Sequence, residues 1–160
     1  GQPCLAATGE QASYAELREQ FRAHRQALQR RQATSLARRP ALQRQKAALE
    51  QALLETMAEQ GVDANEIRAT LRRHRTRLQA NGLSEVEQRH HLQAIAALRQ
   101  RLQTARDQAA QSPTLAKQRR RYEADLRSAM HEDYPALSDL LKETRRLQRR
   151  MQRRIHELQR

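Results

Sequence analysis

Arginine offers the most chemistry in this sequence, and its densest stretch is KETRRLQRRMQRRIHELQR, residues 142–160. Arg145, Arg149 and Arg153 recur at four-residue spacing, and so do Arg146, Arg150 and Arg154. On a helix such spacing lines side chains along a face. Between the two rows run Leu147, Met151, Ile155 and Leu158. An apolar stripe edged by cations on both sides suits an amphipathic or acidic protein partner. The same pattern serves as the solvated margin of a helix seam, or neutralises the phosphates of a nucleic acid.

The other reactive side chains are more dispersed. His90 and His91 are adjacent, so on a helix they diverge by about 100° and share no face. Glu87 and His91 are four apart and could reach one ion, while His24 and His74 fall among apolar positions of separate helices. A half-buried histidine in a helical seam accounts for them, and no metal site is expected. His131, Glu132 and Asp133 precede Tyr134-Pro135 and read as a solvated turn rather than an acid/base pair. Cys4 is the single cysteine, so no internal disulfide can form. Pro3 stands where a lipid-processing site needs a small residue. Gly-rich phosphate loops and Gly-x-Ser-x-Gly elbows do not occur. No enzyme chemistry and no cofactor are expected.

The elements that would carry these residues are helices. Only Phe21, Tyr14, Tyr122 and Tyr134 are aromatic, with 4 Gly and 4 Pro in 160 residues. The apolar supply is mainly Leu and Ala, which fill narrow helix–helix seams. From Ser13, Tyr14, Leu17, Phe21, His24 and Leu28 keep three-and-four spacing, broken at Arg39-Pro40. Leu42, Leu49, Leu53 and Met57 continue to Gly61. Asp63-x-x-Glu66 opens a helix with Ile67, Leu71 and Leu78. Ser84-x-x-Glu87 opens another with Leu92, Ile95, Leu98 and Leu102. Ser112-Pro113 starts the next, carrying Leu115, Tyr122, Leu126 and Met130. The last runs from Leu137 through Leu140, Leu141 and Leu147 to Leu158.

The expected fold is therefore all-α: an extended helical bundle or bent antiparallel hairpins with coiled-coil-like seams. Residues 1–12 read as a flexible leader and 13–160 as one elongated helical domain. No apolar run approaches the roughly 18 residues of a membrane span. The chain opens at Gly1 without an initiator Met, as expected of an exported protein whose leader is gone, or of a trimmed clone.

Charge narrows the partner. With 31 Lys plus Arg against 18 Asp plus Glu, the net charge is +13, favouring nucleic acid, anionic lipid or acidic protein. Only Lys46, Lys117 and Lys142 are lysine, a ratio that GC-rich coding alone would also give. Acidic residues occur in every helix, including Glu143 and Glu157 in the last. Aromatic stacking platforms are lacking, and no segment has a helix-turn-helix, zinc-finger or basic-zipper layout. Nucleic acid therefore ranks below protein.

The stretch Ala80-Asn81-Gly82-Leu83-Ser84-Glu85-Val86-Glu87-Gln88-Arg89, followed by Leu92, Ile95 and Leu98, resembles two families. One is the lipase-specific foldases, chaperones of secreted lipases and phospholipases. The other is the cradle-shaped stress chaperones of the bacterial periplasm, with their Leu-Thr-x-x-Gln helix starts. The foldase motif Arg-x-x-Phe-Asp-Tyr does not occur here. In the second pattern only Leu83 and Ser84 carry over, with Glu87 in place of Gln. The resemblance implies an exported, non-enzymatic all-α protein that holds clients on concave helical surfaces.

The leading expectation is thus a periplasmic or secreted accessory protein or chaperone. It would bind a protein client, such as a secreted lipase or phospholipase, through Leu147, Met151 and Ile155 with Arg146, Arg150 and Arg154 beside them. The alternatives are a cytoplasmic basic nucleic-acid-binding protein and a self-associating coiled-coil component forming a homo-oligomer.

Overall fold

The structure, a computed structural model, describes residues 12–160; Cys4 and nearly all of the expected leader lie outside the described residues. It is all-α, as expected. Six helices follow in order: α1 Tyr14–Ala37, α2 Pro40–Glu59, α3 Ala64–Leu78, α4 Glu85–Ala110, α5 Pro113–Asp133 and α6 Leu137–Leu158. No strand occurs among the described residues.

Local chemistry sets the helix ends. Ser13, Asp63 and Ser84 accept from the backbone N–H groups of Glu16, Glu66 and Glu87 at 3.2, 3.1 and 3.1 Å. Each satisfies one of the donors that a helix start leaves unpaired. Pro40 and Pro113 open α2 and α5, where a missing N–H costs nothing. At the end of α2, Gly61 takes φ +85° and donates to Ala58, while Val62 donates to Met57. That paired closure needs a left-handed residue, which glycine supplies. The expected break at 131–135 is shorter than its composition suggests, because His131, Glu132 and Asp133 form the last turn of α5.

The chain divides into two units. Unit 1 takes the described residues up to Leu42 together with Ala124–Arg160, and unit 2 is Gln43–Glu123. In unit 1, α1 packs on α6. Tyr14, Leu17, Phe21, His24, Leu28, Arg31 and Ser35, at alternating three-and-four spacing, are its buried or half-buried positions facing inward. On α6 the same spacing gives Leu137, Leu140, Thr144, Leu147, Met151 and Arg154.

In unit 2, α3 packs on α4. Ile67, Leu71 and Ile95 form one buried cluster, flanked by Val62, Leu78, Leu98 and Leu102. Met57, Ala64, Ala105, Ala109 and Leu115 form a second, bordered by Leu49, Leu53 and Leu54. Small alanines at 105 and 109 let helix backbones approach where Met57 fills the gap. Leu92, expected in the buried stripe, is 58% exposed. The seam of α4 runs instead through His91, Ile95, Leu98, Leu102, Ala105 and Ala109.

Candidate functional site

In unit 1, the start of α1 lies beside the end of α6, so the two helices run antiparallel. Between them is a groove of about 480 Å³ lined by Ala12, Leu17, Arg146, Arg150, Arg153, Arg154 and Glu157. A second concavity, shared through Arg153 and Glu157, adds Arg149, Gln152, His156 and Arg160. Cations thus surround the last three turns of α6. Ion pairs within the helix offset part of this charge. Arg154 Nη1 donates to Glu157 Oε2 at 3.0 Å, and Arg146 Nη1 lies 3.8 Å from Glu143 Oε1.

The α1–α6 seam is polar along its length, from Arg154 at the groove to Arg31 near the opposite end. Arg154 occupies a position that three-and-four spacing would give to an apolar residue, and its Nε is shielded without a hydrogen-bond partner. His24 Nδ1 and Arg31 Nη1 share that condition on α1, and these three complete the set among the described residues. Arg31 finds partial compensation over the Tyr134 ring, 5.5 Å from its centroid. A shielded polar nitrogen without a partner costs free energy.

The structure sorts the six sequence-derived contact residues. Arg146, Arg150 and Arg154 come together in the groove. Ile155 is 38% exposed, and Leu158, one turn on, is 66% exposed. Met151 is half-buried. Leu147 is 5% exposed and is a correction to the expected contact set. It is a core residue on the helix that packs on α1. Periodicity within one helix defines the stripe at 147 but not the neighbour that covers it. Leu17 was missed as a groove residue for the same reason.

At the other end of α1 lies a salt-bridge lock. Asp133 accepts from Ser35 Oγ at 2.7 Å and from Arg39 Nη1 and Nη2 at 2.6 and 2.9 Å. Ser35 is fully buried. The Arg39 hydrogen bonds, then that of Ser35, hold the Asp133 carboxyl far below the usual carboxylate range. In return, the Asp133 hydrogen bonds raise the Arg39 guanidinium above its ordinary value. Asp133 is therefore a fixed anion of the scaffold, not the solvated turn residue expected from its neighbours.

Unit 2 holds two polar constellations. Glu50 pairs with Arg106 at 3.1 Å and Arg68 at 3.5 Å. The Arg106 hydrogen bond leads in lowering the Glu50 carboxyl below its ordinary value. At the far end of the α3–α4 seam, His74 Nδ1 stands 2.9 Å from His91 Nδ1. The His90 ring centroid is 5.4 Å from that of His91 and 6.3 Å from that of His74. Sequence reasoning separated His90 from His91 by their helical angle, yet the long Cα-to-ring reach brings all three rings together. The signal for the His74–His91 pair was present: each takes a seam position continuing its own apolar row. Partial burial, followed by His74 and His90, keeps the His91 imidazole below its ordinary value. Among the described residues no group of three or more His, Cys, Asp or Glu side chains is placed to hold a metal ion. No helix among them is long and apolar enough to cross a membrane.

No family model, curated protein or solved structure matches this chain.

Proposed function

We propose that the chain is a non-enzymatic helical accessory protein of chaperone type. It holds an acidic, amphipathic segment of a protein client along the second half of α6. One observation carries the reading. Arg146, Arg150, Arg153 and Arg154 line a groove against the start of α1, on a helix that also exposes Ile155 and Leu158. Carboxylates of the client would pair with Arg146, Arg150 and Arg153, and its apolar residues would cover Ile155 and Leu158. An exported setting, with a lipase or phospholipase as client, rests on the resemblance around Ala80–Arg89.

The test uses a labelled synthetic helical peptide with Leu on one face and Glu on its borders, titrated by fluorescence anisotropy. Ile155→Asp with Leu158→Asp places charge into the apolar contact at roughly 1–3 kcal/mol each. Both positions are exposed, so the helix stays intact, which circular dichroism checks. Binding should be lost. Arg150→Gln with Arg154→Gln should chiefly slow association and flatten its salt dependence. A phosphate-binding protein behaves differently. The arginine variant would then lose duplex DNA and reduce the salt slope by roughly one unit per contact. Normal peptide binding by the folded Asp variant, with DNA lost by the arginine variant, overturns the proposal.

A further inference from the structure

The α3–α4 seam is apolar through Ile67, Leu71 and Ile95, then changes character within one turn of helix. The next seam position on α3 is His74, and on α4 it is His91, both half-buried. Their Nδ1 atoms stand 2.9 Å apart, a hydrogen-bonding separation. The ring centroids are 5.2 Å apart, nearly the greatest distance that this contact allows. The two imidazoles therefore meet end to end, each with Nδ1 aimed at the other. Such a contact holds one proton, which one Nδ1 donates and the other accepts.

We propose that this imidazole pair is an acid-sensitive latch, closing the α3–α4 hairpin beside its turn and releasing it when both rings are protonated. The count of protons decides the behaviour. A first added proton settles on Nε2 of the donor ring, whose Nδ1–H still donates. The pair then keeps its contact while carrying one charge. A second proton must settle on the accepting Nδ1, because that ring already carries hydrogen on Nε2. Two donors then face each other, and two positive charges meet across a short gap. Relief comes as the rings swing out of the seam. That removes the plug above Leu71 and Ile95, uncovers the half-buried Leu78 and loosens the hairpin next to residues 79–84.

The surroundings sharpen the response. Partial burial, then the charges of His74, His90 and Arg77, disfavour a proton on His91, and Glu87 opposes them. His74 and Arg77 belong to α3, and His90 and Glu87 to α4, the two helices that pack on each other here. The connecting Gln79, Ala80, Asn81, Gly82, Leu83 and Ser84 add no titratable group. His91 thus binds a proton more weakly in the closed hairpin than in the unfolded chain. Its contribution to closure is complete above the unfolded value of about 6.5 and is lost as pH falls below it. A proton bound by the open hairpin and not by the closed one multiplies the open fraction by up to about tenfold per pH unit.

The experiment uses the full 160-residue chain between about pH 7.5 and about pH 5.5, where the lowered Asp133 and Glu50 carboxyls stay ionised. Amide protection factors, corrected for the intrinsic pH dependence of exchange, should fall in residues 75–90 by about three- to tenfold below pH 6.5. The His74→Leu/His91→Leu double variant continues both apolar rows and should show no such fall, with its helicity checked by circular dichroism. His90→Gln should behave as the parent. Nitrogen NMR of the imidazoles, which needs no variant, should show His74 and His91 titrating as one coupled pair in two steps, the second well below about 6.5. An equal loss of protection in the folded double variant assigns the response to other groups and overturns the latch. So does unchanged protection of the parent at the lower pH, or independent single-step titration of His74 and His91.

Discussion

The α1–α6 and α3–α4 seams use the same three-and-four spacing and bury different chemistry. In α3–α4, isoleucine and leucine meet, and the only interruption is a pair of histidines that satisfy each other. In α1–α6 the row on α1 includes His24, Arg31 and Ser35, and that on α6 includes Thr144 and Arg154. Thr144 donates to the Leu140 carbonyl at 2.7 Å and Ser35 to Asp133, so both are satisfied. His24, Arg31 and Arg154 each retain a shielded nitrogen without a partner. One seam resembles a core, the other a surface that packing has covered. Residues that break the local rule without compensation concentrate where a protein works. On the proposed reading, client binding falls to unit 1 and structural support to unit 2.

Breaking unit 2 should have the largest effect. Leu71 is 5% exposed within the Ile67–Ile95 cluster, and Leu71→Ala should cost about 2–5 kcal/mol in urea denaturation. A loss below about 1 kcal/mol would mean that this seam is no better packed than the other.

Next comes the lock of unit 1. Asp133→Asn removes the anion that pairs with Arg39 and should lower the melting temperature by several degrees at neutral pH. Linkage gives the sign. The Asp133 carboxyl is held below its unfolded value of about 3.9, so its contribution is complete above that pH. It is lost as pH falls from about 4 through the lower folded value. The parent should therefore lose melting temperature more steeply than the variant below pH 4, and parallel acid profiles would exclude the lock.

A smaller effect, of opposite sign, is expected at His24. Replacing its unpartnered shielded nitrogen with an apolar side chain, His24→Leu, should stabilise the chain by about 1 kcal/mol. Destabilisation of that size would show that His24 makes a bond that the seam depends on. Smallest is Arg146→Gln. Its 3.8 Å pair with Glu143 is exposed on both sides, so stability should change by less than about 0.5 kcal/mol in thermal denaturation.

The helices can be read from the sequence because their signals are local. Ser13, Asp63, Ser84, Pro40 and Pro113 mark starts by bonds or missing donors within one turn. What local periodicity does not contain is the identity of the covering neighbour. Leu147 and Ile155 look alike along α6, yet one is buried and the other borders solvent, because a stripe wider than its seam has an inner and an outer edge. Leu92 likewise keeps the spacing of the α4 row, yet His91 occupies the seam. Contacts between distant segments are equally hidden, as with Arg39 and Asp133, 94 residues apart. The arginine groove was half visible: the Arg146, Arg150, Arg154 row is local, whereas Leu17 joins it only through the α1–α6 pairing.

Hydrogen exchange read by mass spectrometry, with and without the Glu/Leu helical peptide, tests the assignment of recognition to unit 1 most directly. Backbone amides that gain a covering partner exchange more slowly. Peptide binding is expected to slow exchange in residues 146–158 of α6 and in the first turns of α1, leaving α3 and α4 unchanged. Protection confined to α3 and α4, or none at saturating peptide, would contradict it.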